Sequence, residues 1–276
     1  MKTSIIRGWQ SLKEQTYILI LLFIYRLLWG YFMYGFVREA VVSVLLRYPD
    51  HNAGGSGMAR LLFYIEGQHS LTSDPDVQRW LCLLLGLTLL RLLISPFIRA
   101  GLLHELHQER SGERGLFFFP GMKKHGLSVL IFSLVEWLLA LLPVYWFAPK
   151  IYALLLSSLM DYKLLLNGVP YILAWCAYVY VIRLLLLYMQ FGYTAGTGMF
   201  SSLLIALRCL LTAIGVSIVM GAGSLLLLVI YALGIIYFPG LPALLIRQLL
   251  PLPSTLLKLW GIAAQYDLWR SKAFPQ

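Results

Sequence analysis

The chain has 276 residues, of which 60% are hydrophobic and 12% are charged, and its formal net charge at pH 7 is +10. Soluble domains carry about 25% charged residues, so this composition excludes an ordinary water-soluble fold. The positive charge does not indicate nucleic-acid binding, because no basic cluster accompanies a soluble domain. In a membrane protein an excess of Lys and Arg instead reports orientation.

Long apolar runs predict an all-α, polytopic integral membrane helix bundle, with five to six transmembrane helices plus interfacial helices in a single domain over residues 1–276. The first run follows Lys2, Arg7 and Lys13, but it is too long for a signal peptide and is interpreted as a retained span. Asp74 and Pro75 predict a helix start before the second run. The predicted spans are residues 17–37, 80–98, 127–147, 170–189, 203–231 and 254–269.

The segments between these runs are polar or broken. A charged connection is predicted over residues 99–126, a loop over 190–202, and interfacial pieces over 58–66 and 151–166. The last run, 254–269, is the least apolar. Six spans put both termini on one side of the membrane, and the distribution of Lys and Arg between the loops predicts that this side is the cytoplasm.

The stretch "HELH", residues 104–107, is compared with the zinc-peptidase motif H-E-x-x-H. That motif places two histidines four residues apart on one helical face. His104 and His107 are three apart, and His125 or Glu109 would have to supply a third ligand that nothing in the sequence fixes nearby. The favoured interpretation is a helix end leaving the membrane, with no metal and no cofactor.

Other candidate motifs also lack the spacing that their chemistry requires. The "GGSG" stretch at residues 54–57 does not have the G-x-S-x-G spacing of a nucleophile elbow. The glycines of residues 192–198 are not followed by the G-K-[ST] ending of a phosphate loop. Cys82, Cys176 and Cys209 lie singly in apolar runs, which favours neither a disulfide framework nor a zinc site. The chain is therefore predicted not to be an enzyme.

Charged residues inside the predicted spans are the main candidates for a site, because such residues are costly in lipid and usually face the protein interior. Counted from the predicted cytoplasmic ends, they lie about 8 to 14 Å deep at 1.5 Å per residue. One interpretation is a cavity that binds an anionic group such as a lipid phosphate; the other is that the arginines extend to lipid headgroups. Arg91 and Glu136 are predicted to pair, and Arg26 and Arg183 to face the same space. The five candidates are Arg26, Arg91, Glu136, Arg183 and Arg208.

Three stretches carry a resemblance: "SPFIRAGLLHE" at residues 95–105, "FPGMKKHG" at 119–126 and "GMFSSLLIALRCLL" at 198–211. With them, residues 15–270 loosely resemble bacterial six-span membrane families related to the membrane domain of some glycerophosphodiester phosphodiesterases. The resemblance implies a bacterial membrane protein. The catalytic domain of those enzymes has no counterpart here, so no catalytic residue is implied.

The sequence therefore predicts a non-catalytic, multi-pass protein of the bacterial cytoplasmic membrane that interacts with lipids or is a subunit of a membrane complex. The alternative is a permease-like component for an anionic or amphipathic solute. Predicted partners are membrane lipids, and either a membrane-protein partner or a second copy of the chain. Such a partner would pack against the small residues Gly215, Gly221 and Gly223.

Overall fold

A computed structural model describes residues 2–45, 75–113, 115–158, 168–237 and 249–274. Within these ranges the chain is helical and contains no β-strand, which confirms the all-α prediction. The helix of residue 75 begins at Pro75, as predicted, because a proline at the first helical position lacks only an N–H that would have no partner there. The helices are α1 Lys2–Glu14, α2 Thr16–Leu45, α3 Pro75–Arg110, α4 Phe118–Leu141, α5 Val144–Ser158, α6 Val169–Thr194, α7 Met199–Arg208, α8 Leu210–Tyr237 and α9 Pro251–Ala273.

Five stretches in these helices are long and apolar enough to cross a membrane. Their large apolar side chains are often exposed, for example Leu138 at 68% and Leu211 at 87%. Side chains of this kind are stable on the surface only if lipid surrounds them. The protein is therefore a multi-pass membrane protein. The stretches are Thr16–Gly35, Cys82–Arg110, Phe118–Leu141, Val169–Thr194 and Leu210–Tyr237.

Helix boundaries differ from the predicted spans where polar residues continue a helix. The predicted connection 99–126 is largely helical, because α3 continues to Arg110 and α4 begins at Phe118. Pro120 lies in the first turn of α4, where a missing N–H costs no hydrogen bond. The predicted span 203–231 is divided at Cys209 into α7 and α8. The predicted span 254–269 lies in α9, which is not among the five apolar stretches.

The chain divides into two compact units, Met1–Ile20 with Ser95–Gln276, and Leu21–Ile94. In the larger unit, α9 packs against α1, α6, α7 and α8, and α6 packs against α4 and α7. The smaller unit contains most of α2 and the first part of α3, and within it the rings of Tyr25 and Trp29 meet edge to face at 6.3 Å. The larger unit contains the cavities described below.

The short helix α1 packs along α9. Its buried residues Ser4, Gly8, Ser11 and Leu12 follow the spacing of one helical face. A Cβ at Gly8 would lie 2.8 Å from the backbone N of Ala264, so only glycine permits this approach. Trp260 donates from Nε1 to the carbonyl of Ile5 at 2.8 Å. These contacts fix α1 against the more polar end of α9.

An aromatic cluster forms the core beside this helix pair. Tyr188 and Phe191 of α6 and Tyr266 and Trp269 of α9 are each at most 1% exposed. Their ring centroids lie 5.2 to 5.9 Å apart in tilted or edge-to-face pairs. Such pairs stabilise packing beyond the area they bury. The cluster therefore holds α6 and α9 in a fixed relation, and the groove described next lies between these helices and α8.

Candidate functional site

Glu136 of α4 is a buried carboxylate that pairs with two arginines, of which Arg99 is partly buried and Arg183 has a side chain that is 63% exposed. Its Oε2 lies 3.0 Å from Nη1 of Arg99, and its Oε1 lies 3.7 Å from Nε of Arg183. Glu136 is 8% exposed. One carboxylate therefore lies between two guanidinium groups, so these three side chains together carry a net charge of about +1.

Arg99 replaces Arg91 as the partner predicted for Glu136. The prediction ended the second span at residue 98 and so assigned Arg99 to a connection. In the structure α3 continues to Arg110. Arg99 therefore lies inside the helix, whereas Arg91 belongs to the other compact unit. The error was in the helix boundary rather than in the expectation that Glu136 is paired.

The structure brings together only part of the predicted charge cluster. Arg26 and Arg91 both belong to the unit Leu21–Ile94, where their guanidinium groups interact electrostatically. Glu136 and Arg183 belong to the other unit. Arg208 is exposed in the last turn of α7. A space shared by Arg26 and Arg183 stays a prediction.

Arg183 also lines the polar part of a groove between α6, α8 and α9, which has a volume of about 320 Å³. Lys258 of α9 is a second cation in its wall. The sequence analysis missed Lys258 because it lies in the least apolar predicted span. A signal was available: Lys258, Ile262 and Gln265 are four and seven residues apart, which places them on one helical face.

Gln265 closes the inner side of this polar part. Its Oε1 accepts a hydrogen bond from the Tyr188 hydroxyl at 2.7 Å. Its Nε2 donates to the Ala213 carbonyl at 2.8 Å and to Ser217 Oγ at 2.9 Å. Because these bonds occupy the side-chain amide, Gln265 joins the three helices and leaves ligand binding to the two cations.

An apolar part of the groove lies next to it between α8 and the start of α9, with a volume of about 750 Å³. The two parts are adjacent, because Leu257 lines both. The wall consists of leucine, isoleucine, proline and glycine residues, with Tyr231. The residues that line it are Gly223, Leu226, Leu227, Ile230, Tyr231, Gly234, Leu249, Leu250, Leu252, Pro253, Leu256 and Leu257.

Small residues of α8 give the groove its width. A Cβ at Gly221 would meet no atom within 4 Å, and one at Gly223 would meet only Leu257 Cδ2 at 3.8 Å. The sequence analysis assigned these two glycines to a face that packs against a partner. In the structure both line the groove, so their absent side chains leave space that a ligand can fill. Packing of this face against a partner stays a prediction.

The chemistry of the groove is that of a binding surface for an amphiphile. Cations lie at one end, and the other end is almost wholly apolar. Among the described residues that line it, no carboxylate or histidine accompanies the two cations. Nonspecific contact with lipid tails does not require cations next to an apolar wall. An anionic headgroup joined to an acyl chain, in contrast, matches both ends of the groove.

The two histidines of the "HELH" stretch have different neighbours. His107 Nδ1 lies 2.9 Å from the Tyr266 hydroxyl. Burial raises the pKa of Tyr266 to about 12, so this phenol keeps its proton near neutral pH. The ring of His104 packs instead against that of His125, with centroids 5.2 Å apart. His104 is also close to α4, because a Cβ at Gly121 would lie 2.5 Å from His104 Cβ.

No three His, Cys, Asp or Glu side chains converge as metal ligands within the described ranges. His104 and His107 contribute to contacts of α3 with α4 and α9 respectively. The expectation that they bind no metal, which rests on their spacing, stays a prediction.

No known protein family, curated protein or solved structure matches the chain. The resemblance to the membrane domain of some glycerophosphodiester phosphodiesterases therefore stays a prediction. Two of the stretches that carry it do pack together. A Cβ at Gly126 would lie 2.4 Å from Phe97 Cδ1, and one at Gly101 would lie 2.7 Å from the Phe118 carbonyl. These residues form the close contact of α3 with α4.

Proposed function

We propose that the protein is a non-catalytic membrane protein that binds an anionic lipid in the groove between α6, α8 and α9. The lipid phosphate interacts with Arg183 and Lys258, and an acyl chain occupies the apolar part. The observation that carries this proposal is that a wall with two cations and an apolar wall are adjacent and share Leu257.

Electrostatics supports an anionic ligand. Arg183 shares Glu136 with Arg99, so one carboxylate faces two guanidinium groups. Lys258 adds a further positive charge to the groove wall. Charge at membrane depth needs compensation by partners, water or headgroups. A phosphodiester bound between the two cations would add to this compensation, alongside Glu136 and the other contacts that these side chains make.

The headgroup should determine which lipid binds. A lipid tail leaves one apolar environment for another when it enters the groove, so little hydrophobic free energy is gained. Selectivity then comes from the charge-assisted contacts of the phosphate. Passage of a small hydrophilic anion along the apolar part would be costly, which favours binding over the permease alternative.

We further propose that the protein lies in a bacterial cytoplasmic membrane with both termini in the cytoplasm. The resemblance described above supports the bacterial membrane, and the distribution of Lys and Arg supports the orientation. A reporter that is active only outside the cytoplasm should be silent after residue 115 and after residue 276, and active near residue 55. The reverse pattern would contradict the orientation.

Quantification of co-purified lipid tests the binding proposal. The protein is purified in mild detergent, and bound lipids are extracted and measured by mass spectrometry per mole of protein. We expect anionic lipid to be enriched over its share of the membrane, and to be lost in an Arg183→Gln, Lys258→Gln double variant. Arg208→Gln is the matched control, because Arg208 is also an exposed arginine but does not line the groove, and this variant should keep the lipid.

A second variant tests the groove without changing charge. Gly221→Leu should fill the groove, since no protein atom lies within 4 Å of the added Cβ. We expect less bound lipid with unchanged thermal stability. Gly86→Leu is the control, because Gly86 is equally open but does not line the groove. Equal lipid in all variants and the parent, or chemical conversion of the bound lipid during incubation, would contradict the proposal.

A further inference from the structure

A second polar crevice lies where α1, the end of α3 and the end of α9 meet. Its volume is about 410 Å³, and it is lined by Arg7, Arg110, Asp267, Arg270, Ser271 and Phe274. Three helices thus each contribute one arginine to the same space. This size is within the range of small-ligand pockets, about 300 to 1,000 Å³. None of these residues lines the groove that is proposed above to bind lipid.

The crevice contains more positive than negative charge. Asp267 is its one carboxylate among the described lining residues, and its Oδ1 lies 3.7 Å from Nη2 of Arg110. Arg110 Nη2 also donates to the Arg7 carbonyl at 3.0 Å. Three guanidinium groups and one carboxylate leave a net charge of about +2.

The neighbouring Glu109 lies outside the lining of the crevice. Its Oε2 accepts hydrogen bonds from Ser11 Oγ and Gln15 Nε2 on the α1 side. Its carboxylate also attracts Arg110 electrostatically, so it offsets part of the positive charge without occupying the space between the three arginines.

The helix ends explain only part of this arrangement. Arg110 and Arg270 lie in the last turns of α3 and α9, where the helix dipole favours cations. Such arginines could simply complement the ends of their own helices. Arg7 lies in the middle of α1 and has no such role. The helix ends also do not require a polar space of about 410 Å³ between the three side chains.

We infer that this crevice binds a phosphate monoester group. A phosphate monoester carries about −1.5 to −2 charge at pH 7, which matches the net charge of the crevice. Guanidinium groups bind phosphate oxygens with paired N–H donors, and three arginines can surround one phosphate. The Ser271 hydroxyl at the rim is a further polar group. The phosphate could belong to a membrane lipid or to a soluble metabolite.

The experiment measures binding by the full chain with two probes. Inorganic phosphate is titrated into the protein in neutral detergent by calorimetry. In parallel, the protein is reconstituted in phosphatidylcholine nanodiscs with and without phosphatidic acid, and lipid enrichment is measured. Binding of inorganic phosphate indicates a soluble source, and enrichment of phosphatidic acid alone indicates a lipid source; either result supports the site.

Variants distinguish phosphate binding in the crevice from nonspecific attraction of phosphate to a positively charged protein. An Arg7→Gln, Arg270→Gln double variant should bind roughly tenfold more weakly or worse, because charge-assisted hydrogen bonds are lost. Asp267→Asn should change affinity in the opposite direction and tighten binding, because it removes the negative charge. Arg208→Gln should bind like the parent. Arg110 is left unchanged, since it holds α1 through the Arg7 carbonyl.

Two results would overturn the inference: no saturable binding of either probe by the parent, or the same affinity in the parent and both crevice variants. Thermal unfolding of each variant identifies a folding defect, and the tighter binding expected for Asp267→Asn cannot arise from misfolding. Loss of lipid from the groove variants does not bear on this site, because the two sets of lining residues do not overlap.

Discussion

Helices α8 and α9 are neighbours of similar length, but they are buried to opposite extents. α8 is the most apolar of the five membrane-crossing stretches, with a mean hydropathy of 2.4 in its best window, and its buried residues are Ala213, Val216 and Met220. α9 contains Lys258, Gln265, Asp267 and Arg270, yet it has nine buried residues. In this protein the more hydrophobic helix is therefore the one that is less buried.

The difference follows from the solvent. Lipid tails are as apolar as leucine, so burying leucine against protein gains little. A polar side chain, in contrast, is stable at this depth only when protein groups satisfy its hydrogen bonds. Burial in such a bundle is thus indicated by polar and small residues, as in α9, and exposure by uninterrupted apolar residues, as in α8.

The largest expected effect concerns a buried charge. Glu136→Gln should leave Arg99 and Arg183 without their carboxylate and lower the free energy of unfolding by about 3 kcal/mol, the low end of the range for buried pairs, because Arg183 is 63% exposed. An unfolding titration with SDS in mixed micelles measures the loss. Adding Arg99→Gln should recover part of it, whereas adding Arg91→Gln should not. Additive losses for Glu136 and Arg99 would contradict the ion pair.

The next effect tests whether polar residues of α9 stabilise the bundle more than those of α8. Gln265→Leu should cost about 3 kcal/mol, because it leaves the buried Tyr188 hydroxyl and Ser217 without their partner. Ser224→Ala on α8 should change stability little, since its Oγ bonds only to the Met220 carbonyl of the same helix. Both variants are measured in the same titration. Equal losses of unfolding free energy would contradict the expectation that polar residues of α9 stabilise the bundle more than those of α8.

A matched pair of glycine substitutions should change stability in opposite directions. Gly8→Ala places a Cβ against the Ala264 backbone, which cannot move aside as a side chain can. We expect a net loss of about 1 to 2 kcal/mol despite better helix propensity. Gly86→Ala meets no atom within 4 Å and should gain up to about 1 kcal/mol. Thermal unfolding in detergent compares them, and a loss in both would argue against the close contact of α1 with α9.

The smallest effect is expected on the lipid-facing side of α8. Leu225 is 67% exposed, and Leu225→Ala should change stability by no more than about 0.5 kcal/mol. Leu259 of α9 is 5% exposed, so Leu259→Ala should cost about 2 kcal/mol or more. Both variants are measured in lipid nanodiscs, where lipid can fill the space at residue 225. A large loss for Leu225→Ala would indicate that this face is covered by protein.

The same contrast explains what the sequence could predict. Apolar runs correctly indicated an all-α membrane bundle, because hydropathy measures exposure to lipid directly. Helix α1 was not predicted, and the ends of α3 and α4 were misplaced, because their polar residues resemble those of loops. The packing of α9 against α6 and α8 depends on tertiary contacts such as those of Gln265, which no local sequence pattern indicates.

The site was predicted to the extent that its residues lie inside apolar runs. Glu136 and Arg183 stood out as charges within predicted spans, and the structure brings them together. Arg99 was missed because it lay one residue beyond the predicted end of the second span. Lys258 was missed because it lay in the least apolar of the predicted spans. The sequence analysis used the arginines of the polar crevice, Arg7, Arg110 and Arg270, only as indicators of orientation in the membrane. Their convergence depends on the approach of α1 to α9, which no sequence spacing shows.

The contact between α1 and α9 also constrains how the protein is made. Ile5 and Trp260, which are joined by a hydrogen bond, are 255 positions apart in the chain. At about 5 to 20 residues per second of synthesis, α1 waits roughly 10 to 50 s before its partner helix leaves the ribosome. During this time its buried face, including Gly8 and Leu12, has to be covered by the membrane surface or by a chaperone. Final assembly of this unit is therefore expected only after α9 has been translated.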